Sequence, residues 1–236
     1  MRLTDARPRQ HGGPPQPAQG PPPRAEIAGD SVLLQPLDPA RHAAELFLVS
    51  AEDPEIWTYM PYGPFEGLSA LTEWLEGCAT SQDPLFFALV DRDSGRAAGM
   101  ASFLNIHPEH GVLEIGHIWF SKVIRRRRAA SEAIFRMIRL AFDELGYRRV
   151  EWKCNAANAA SRNAAARFGF VYEGTFHQHY IVKGVNRDSA WFSILDGEWP
   201  ALRGAFEAWL DPANFDAEGK QATSLSALTA AAAGRD

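Results

Sequence analysis

Apolar residues along this chain keep two periods. Ile134, Met137, Ile138, Ala141, Phe142 and Leu145 recur at i, i+3 and i+4 spacing. That spacing predicts an amphipathic helix over Ala129–Leu145, closed by Gly146. Similar signals predict helices over Pro39–Ser50 (opened by Asp38), Leu68–Thr80 and Ala159–Phe168, the last stopped by Gly169. A final helix starts after Asp196, carries Pro200 in its first turn and runs to Leu210. Short apolar or alternating runs predict strands over Ser31–Leu37, Leu85–Asp91, Ala97–Ile106, Val112–Phe120, Arg149–Cys154, Val171–Val182 and Ser189–Leu195. Three consecutive strands before a crossover helix point to an α/β chain with a mixed sheet rather than a doubly wound one.

The ends have a different composition. Seven of the sixteen prolines lie before residue 26, with few apolar side chains to bury. Residues 1–29 are therefore expected to be a disordered or polyproline-like arm. The small-residue run ATSLSALTAAAAGRD suggests a flexible Ala-rich tail over 217–236. Residues 30–216 remain for a single core.

Charge and cysteine content narrow the function classes. A net charge of −5 argues against whole-molecule attraction to nucleic acid or anionic lipid. Two cysteines, Cys78 and Cys154, exclude a disulfide framework and a Cys-rich zinc site, and fit a reducing compartment. No apolar run reaches the roughly 18 to 20 residues that span a bilayer, and MRLTDARPRQHGG lacks the apolar core of a signal peptide. A soluble cytoplasmic protein with no membrane partner is expected.

One window runs against the acidic whole: Lys122–Arg149 holds nine basic residues and three acidic ones. Arg125, Arg126, Arg127 and Arg128 fall in succession between a strand and a helix, followed by Ala129, Ala130 and Ser131. Backbone N–H groups and the positive end of a helix dipole make such a turn an anion site, and small residues let a phosphate approach. The charge run reads equally as a solvated basic turn.

The segment LEIGHIWFSKVIRRRRAASEAIFRMIRLAFDELGYRRVEWKCNAANAASRNAAARFGFVYEGTF resembles the core of the GNAT (GCN5-related) N-acetyltransferases. Within them it is similar to the Rim-type branch, which acetylates ribosomal-protein N-termini and small amines. The resemblance implies a mixed sheet splayed around acetyl-CoA, the cosubstrate, and direct transfer to an amine with no acyl-enzyme. The family's acyl-CoA loop, Gln/Arg-x-x-Gly-x-Gly/Ala, aligns with Arg125, Arg128 and Ala130, with Arg128 in place of the central glycine. An arginine there can offer phosphate a charge-assisted bond in exchange for amide contacts. Asn158-x-x-Ser161 matches the residues that reach the pantetheine and sulfur. The tyrosine that many members use as acid is Ala165 here, and Ser161 matches the proposed acid of the Rim-type branch. The plain alternative is a Ser161 that bonds its own helix backbone.

The reaction needs a neutral amine, a stabilised oxyanion and a protonated leaving thiol. Backbone N–H groups near Ile118, Trp119 and Phe120 are the implied oxyanion and cofactor donors. Glu114 alternates with Gly116, Ile118 and Phe120, so it faces one side of the sheet in an apolar setting that suits a base. It reads equally as a carboxylate paired within the sheet. His117 falls on the opposite face unless a bulge re-aims it. Cys154 reads as a structural thiol. Trp57, Tyr59, Met60, Tyr62 and Phe65, with His177 and His179 of FHQHY, are the candidate acceptor-binding residues. They read also as a cover for one end of the core and as exposed strand histidines. Arg187 and Asp188 read as turn caps. No third ligand accompanies the HxH pair, so no metal is expected.

The expected partner is a small-molecule or peptide amine. The alternative is a non-catalytic binder of the same fold, sensing CoA or using the basic patch on RNA. RNA is disfavoured because the patch lacks interleaved aromatics. Edge strands and an exposed C-terminal helix leave room for a homodimer.

Overall fold

The structure is a computed structural model that describes Arg9 and residues 12–234. Its strands are β1 (Ile27–Ala28), β2 (Val32–Pro36), β3 (Leu85–Asp91), β4 (Arg96–His107), β5 (Val112–Phe120), β6 (Arg149–Asn155), β7 (Val171–Val182) and β8 (Val185–Leu195). Its α-helices are α1 (Pro39–Ala51), α2 (Leu68–Thr80), α3 (Arg128–Arg139), α4 (Ala159–Arg167), α5 (Trp199–Leu210) and α6 (Leu225–Ala232). The strands form one sheet in the order β1-β2-β3-β4-β5-β6-β8-β7, with β5 and β6 parallel and the other pairs antiparallel. This is the mixed α/β sheet that the order of elements predicts.

Both faces of the sheet are covered. In β3, Leu85, Phe87 and Leu89 join one core, while Phe86, Ala88 and Val90 join the other. Burial on both faces is why LFFALV is apolar without alternation. The front core is closed by Leu46 of α1, Leu71 and Leu75 of α2, and Trp57. The back core is closed by Ile134 and Ile138 of α3, Ala165 of α4 and Phe206 of α5.

Four features depart from the sequence-based expectations. The helix over Ala129–Leu145 is α-helical only to Arg139. It then widens into a π turn over Leu140–Glu144, in which the Leu145 N–H reaches the Leu140 carbonyl at 3.0 Å. Phe142 in that turn stacks on Trp199, and Asp143 accepts the Trp199 indole N–H at 2.6 Å. The last strand begins at Val185, because Lys183 and Gly184 take positive φ and form a two-residue hairpin turn.

The proline-rich stretch also differs. Its residues 12–29 run along the body rather than free: Ala18 and Gln19 donate to Pro108 and Leu145 carbonyls, and Tyr147 Oη donates to the Gly20 carbonyl. An extended chain has unpaired backbone groups, and here the body satisfies several of them. The rest of the expected arm, 1–8, 10 and 11, lies outside the described residues.

The Ala-rich end likewise folds, as α6. Ser224 caps it, and Leu225 and Thr229, four apart on one face, are buried. The Thr229 hydroxyl donates to the Arg167 carbonyl. Residues 235–236 of the expected tail lie outside the described residues. Among the described residues no helix is long and apolar enough to cross a membrane.

Candidate active site

β5 and β6 pair at only three positions, Val112↔Arg149, Leu113↔Val150 and Glu114↔Glu151. Beyond them β5 stays with β4 as far as Phe120, and β6 stays with β8 as far as Asn155. The two strands therefore part after Glu114 and Glu151, and the sheet opens into a V.

β5 is bulged inside that opening. Ser102 faces Gly116 and Met100 faces Trp119, so two steps along β4 match three along β5. The extra residue sits at His117, whose φ of 51° is left-handed. Side chains change faces there. Leu113 and Ile115 belong to the back core, so Glu114 and Gly116 face front by alternation. Trp119 then lies in the front core, while Ile118 and Phe120 pack on the back one. The expected alternation of Glu114 with Ile118 and Phe120 is thus broken, and His117 comes round to the Glu114 face. There it stacks on Tyr62, with rings 5.6 Å apart, and lies 5.0 Å from Phe86. Ile118, Trp119 and Phe120 have their side chains in packing, which leaves backbone groups as their means of contact with a ligand.

The arginine turn resolves into separate roles. Arg125 Nη1 pairs with the buried Asp53 carboxylate at 2.6 Å, tying the turn to the segment after α1. Arg128 does not face the turn. Its guanidinium donates to the Leu210 carbonyl and lies 5.3 Å from the Phe215 ring. Its long stem and place at the start of α3 let it reach the end of α5, so the expected substitution of guanidinium for amide contacts is not its geometry. Arg126, with φ 62°, and Arg127 are exposed, with no side-chain partner among the described residues. Among the described residues no side chain caps α3, whose N-cap residue is Arg127. The N–H groups of Arg128, Ala129 and Ala130 therefore have no acceptor within the helix. Ala129 and Ala130, small and buried, follow directly on the turn.

On the β6 side, Asn158 Oδ1 accepts the Ser161 N–H at 3.0 Å and caps α4. The Ser161 side chain does not bond its own helix backbone. Its Oγ accepts the Trp152 indole N–H at 3.0 Å. An indole donates only, so the serine's own proton is left to be given elsewhere. The nearby Cys154 thiol is buried and raised above its usual pKa by burial, with Ser161, Arg187 and Arg162 opposing. Ala165, at the tyrosine position, is fully buried.

The front of the V holds an ion pair. Lys153 Nζ is 2.8 Å from Glu114 Oε2 and 3.8 Å from Glu151, and lies 3.9 Å over the Trp191 ring. Asn105 Nδ2 donates to the same Glu114 oxygen at 2.7 Å. Burial pushes the Glu114 carboxyl up, and Lys153 and Asn105 oppose the rise. The aromatic loop closes over this face: Trp57 is 5.4 Å from Trp119, and Tyr62 is 4.1 Å from Trp74. Tyr59 Oη donates across to the Ala157 carbonyl at 3.2 Å. Lys183 of the β7–β8 hairpin donates to the Trp57 carbonyl at 2.8 Å.

The two strand histidines separate. His177 is exposed and bonds Asp188 at 2.8 Å, away from the ion pair. His179 turns inward, 3.9 Å from Tyr180, its pKa lowered by desolvation and by Lys153 and Arg187. Among the described residues no group of three or more His, Cys, Asp or Glu could hold a metal ion.

Sequence reasoning missed Lys153, Asn105, Trp152 and Asp53. For Lys153 a signal existed: Arg149, Glu151 and Lys153 alternate with Val150, Trp152 and Cys154, the mark of a strand with one polar face. The others depend on contacts across the fold.

A cleft between two parallel strands, one of them bulged, with uncapped helix amides beside it, suits transfer of an acyl group from a phosphate-bearing carrier. This chain belongs to the GNAT acetyltransferase family, whose domain profile, described as "Acetyltransferase (GNAT) domain", matches residues 31–171. The family's acyl donor is acetyl-CoA. The chain is 28% identical over 171 residues to the ribosomal N-acetyltransferase YdaF of Bacillus subtilis, an assignment its name marks as provisional, covering 71% of this chain and 91% of that one. It is 27% identical over 202 residues to the FsC-acetyl coenzyme A-N(2)-transacetylase of Aspergillus fumigatus, covering 74% and 83%. Among solved structures, a GCN5-related N-acetyltransferase from Brucella melitensis superposes with a TM-score of 0.88 at 45% identity, covering 90% of this chain and 97% of that one.

Proposed function

We propose that this chain moves the acetyl group of acetyl-CoA to a primary amine, either a protein N-terminus or a small-molecule amine, by direct attack. The observation that carries the reading is the Trp152–Ser161 hydrogen bond, made just past the point where β6 parts from β5. It orients a hydroxyl on the β6 side, beside the Cys154 thiol, that can turn its proton to a departing thiolate. Acetyl-CoA supplies the activated thioester, its diphosphate toward the α3 amides and Arg126 and Arg127, its pantetheine along Asn158 and the backbone of Ile118–Phe120.

Glu114 is the base in this reading. Burial raises its affinity for a proton, and an incoming ammonium would compete with Lys153 for the carboxylate. Trp57, Tyr59 and Tyr62 form the acceptor wall, with His179 on the opposite side. His177 borders it from outside. Both cysteines are free and buried, which supports a reducing, cytoplasmic setting.

The test combines thermal shift with acetyl-CoA, CoA and a short RNA, and a thiol-release screen over amines and N-terminal peptides. Binding to N but not U stabilises by RT ln(1 + [L]/Kd). Stabilisation by acetyl-CoA and thiol release with an amine are expected. Stabilisation by RNA and by neither CoA species would overturn the reading in favour of the basic-patch binder.

A further inference from the structure

Three successive same-face residues of β8 carry buried polar atoms with no partner among the described residues: Arg187 Nε, Ser189 Oγ and Trp191 Nε1. Ser189 pairs with Asn155 and Trp191 with Lys153, so this face of β8 is continuous with the Glu151–Lys153 face of β6. His179 Nδ1 on the neighbouring strand is buried and unpartnered as well. Buried polar groups in folded proteins are nearly always satisfied, so a row of orphans along one strand face, beside the ion pair of Lys153, marks a place that a ligand completes.

The charge is as telling as the donors. Arg187 is half-buried, packs 5.7 Å from the Tyr180 ring and has no carboxylate within ion-pair distance among the described residues. Its neighbour Asp188 is spent on the hairpin, bonding the Gln178 N–H, Asn186 Nδ2 and His177. Glu114 and Glu151 are engaged by Lys153 and Arg149. Arg187 lies near enough to both arms of the V for its charge to lower the pKa of His117 on β5 and of Cys154 on β6. A lone guanidinium with an inward Nε–H is a fork for a carboxylate.

We propose that Arg187 receives a carboxylate of the acceptor, so that the preferred substrate is a primary amine bearing an acid group. Ser189 Oγ–H and Trp191 Nε1–H take further acceptor atoms along the same strand. The inference rests on reading the front of the V as the acceptor side.

The experiment compares acid with neutral amide in two scaffolds: β-alanine against β-alaninamide, and Glu-initiated against Gln-initiated peptides with amidated C-termini. Wild type should favour the acid by at least about tenfold in kcat/KM, chiefly through KM. Arg187→Gln should collapse that ratio toward one, and Arg187→Lys should restore it only in part, because the charge returns without the fork. The scaffold that shows the preference distinguishes a small amine from a peptide N-terminus. Calorimetric binding of the same pairs to the CoA-loaded protein gives a readout independent of turnover.

Equal use and equal binding of acid and amide by wild type would overturn the proposal. So would an Arg187→Gln effect that falls on the KM for acetyl-CoA instead of the acceptor. Acid-selective binding that depends on Arg187, with no thiol release from any amine, would leave this inference standing and sink the acetyl-transfer reading.

Discussion

His117 Nδ1 lies 3.2 Å from Tyr62 Oη, and the two rings stack within 16° of parallel. A strand residue and a loop residue 55 positions apart meet because the bulge in β5 turns His117 toward the front core. Desolvation there, with Arg187 nearby, lowers its pKa to about 4.

That shift predicts a pH dependence of stability. The unfolded histidine takes its proton near 6.5, well above the folded one, so the unfolded state binds more protons between about pH 6.5 and 4. The stability contributed by neutral His117 is full above that window and is lost as pH falls through it. His117→Phe should flatten this part of the Tm-against-pH curve. A His117 imidazole titrating near 6.5 by NMR would contradict the buried placement.

Ser161→Ala should lower kcat by roughly a hundredfold, the usual scale for a positioned acid, with the KM for acetyl-CoA moving by less than about threefold. Steady-state kinetics at saturating acetyl-CoA separate the two. An unchanged kcat would remove Ser161 as the acid.

The arginine turn predicts a division of labour. Arg126→Ala combined with Arg127→Ala should weaken acetyl-CoA binding roughly three- to tenfold, more at low salt than at high salt, because exposed charges are screened. Arg128→Ala should instead cost stability, about 1–3 kcal/mol for a charged hydrogen bond, through the loss of the Leu210 carbonyl contact. Titration calorimetry and urea melts read the two effects. Equal loss of cofactor affinity in both variants would show that Arg128 swings back to the turn.

Glu114→Gln keeps the Asn105 and Lys153 neighbours but removes the titrating oxygen. The pH–rate profile of kcat/KM should lose its acidic limb, with the rate down roughly a hundredfold or more. A limb that persists would move the base to another group.

Leu225 is fully buried at the start of α6. Leu225→Ala should destabilise by about 2–4 kcal/mol, the range for a leucine cavity in a core, measured by denaturant unfolding. A change under about 0.5 kcal/mol, typical of a surface site, would mean that the end of the chain is a loose tail after all.

Element order was legible because each element carries its own periodicity. Helix α3 was announced by Ile134, Met137 and Ile138, and β3 by a six-residue apolar run. The ends were misread for the same reason. Ala18 and Gln19 give no periodic signal, yet the carbonyls of Pro108 and Leu145 accept their backbone N–H groups. In α6, one leucine and one threonine four apart suffice once Arg167 and α5 are there to meet them. Of the candidate site, motif and alternation point to Ser161 and Glu114, but the bulge breaks the alternation beyond Gly116, and the partners Trp152 and Lys153 carry no signal of their contacts.

By itself, then, the sequence determined what short-range patterning controls: the strands and helices from β2 to α5, their mixed order, the basic turn ahead of α3 and the Asn158–Ser161 helix start. Tertiary structure alone decided which way the arginines point, that a bulge carries His117 to the face of Glu114, and that Arg187 stands on the Lys153 face of the sheet with no carboxylate paired to it among the described residues. Those outcomes depend on strand register and on contacts between residues tens of positions apart. One extra residue in β5 reverses the faces of those that follow, and local composition holds no record of where that residue is inserted.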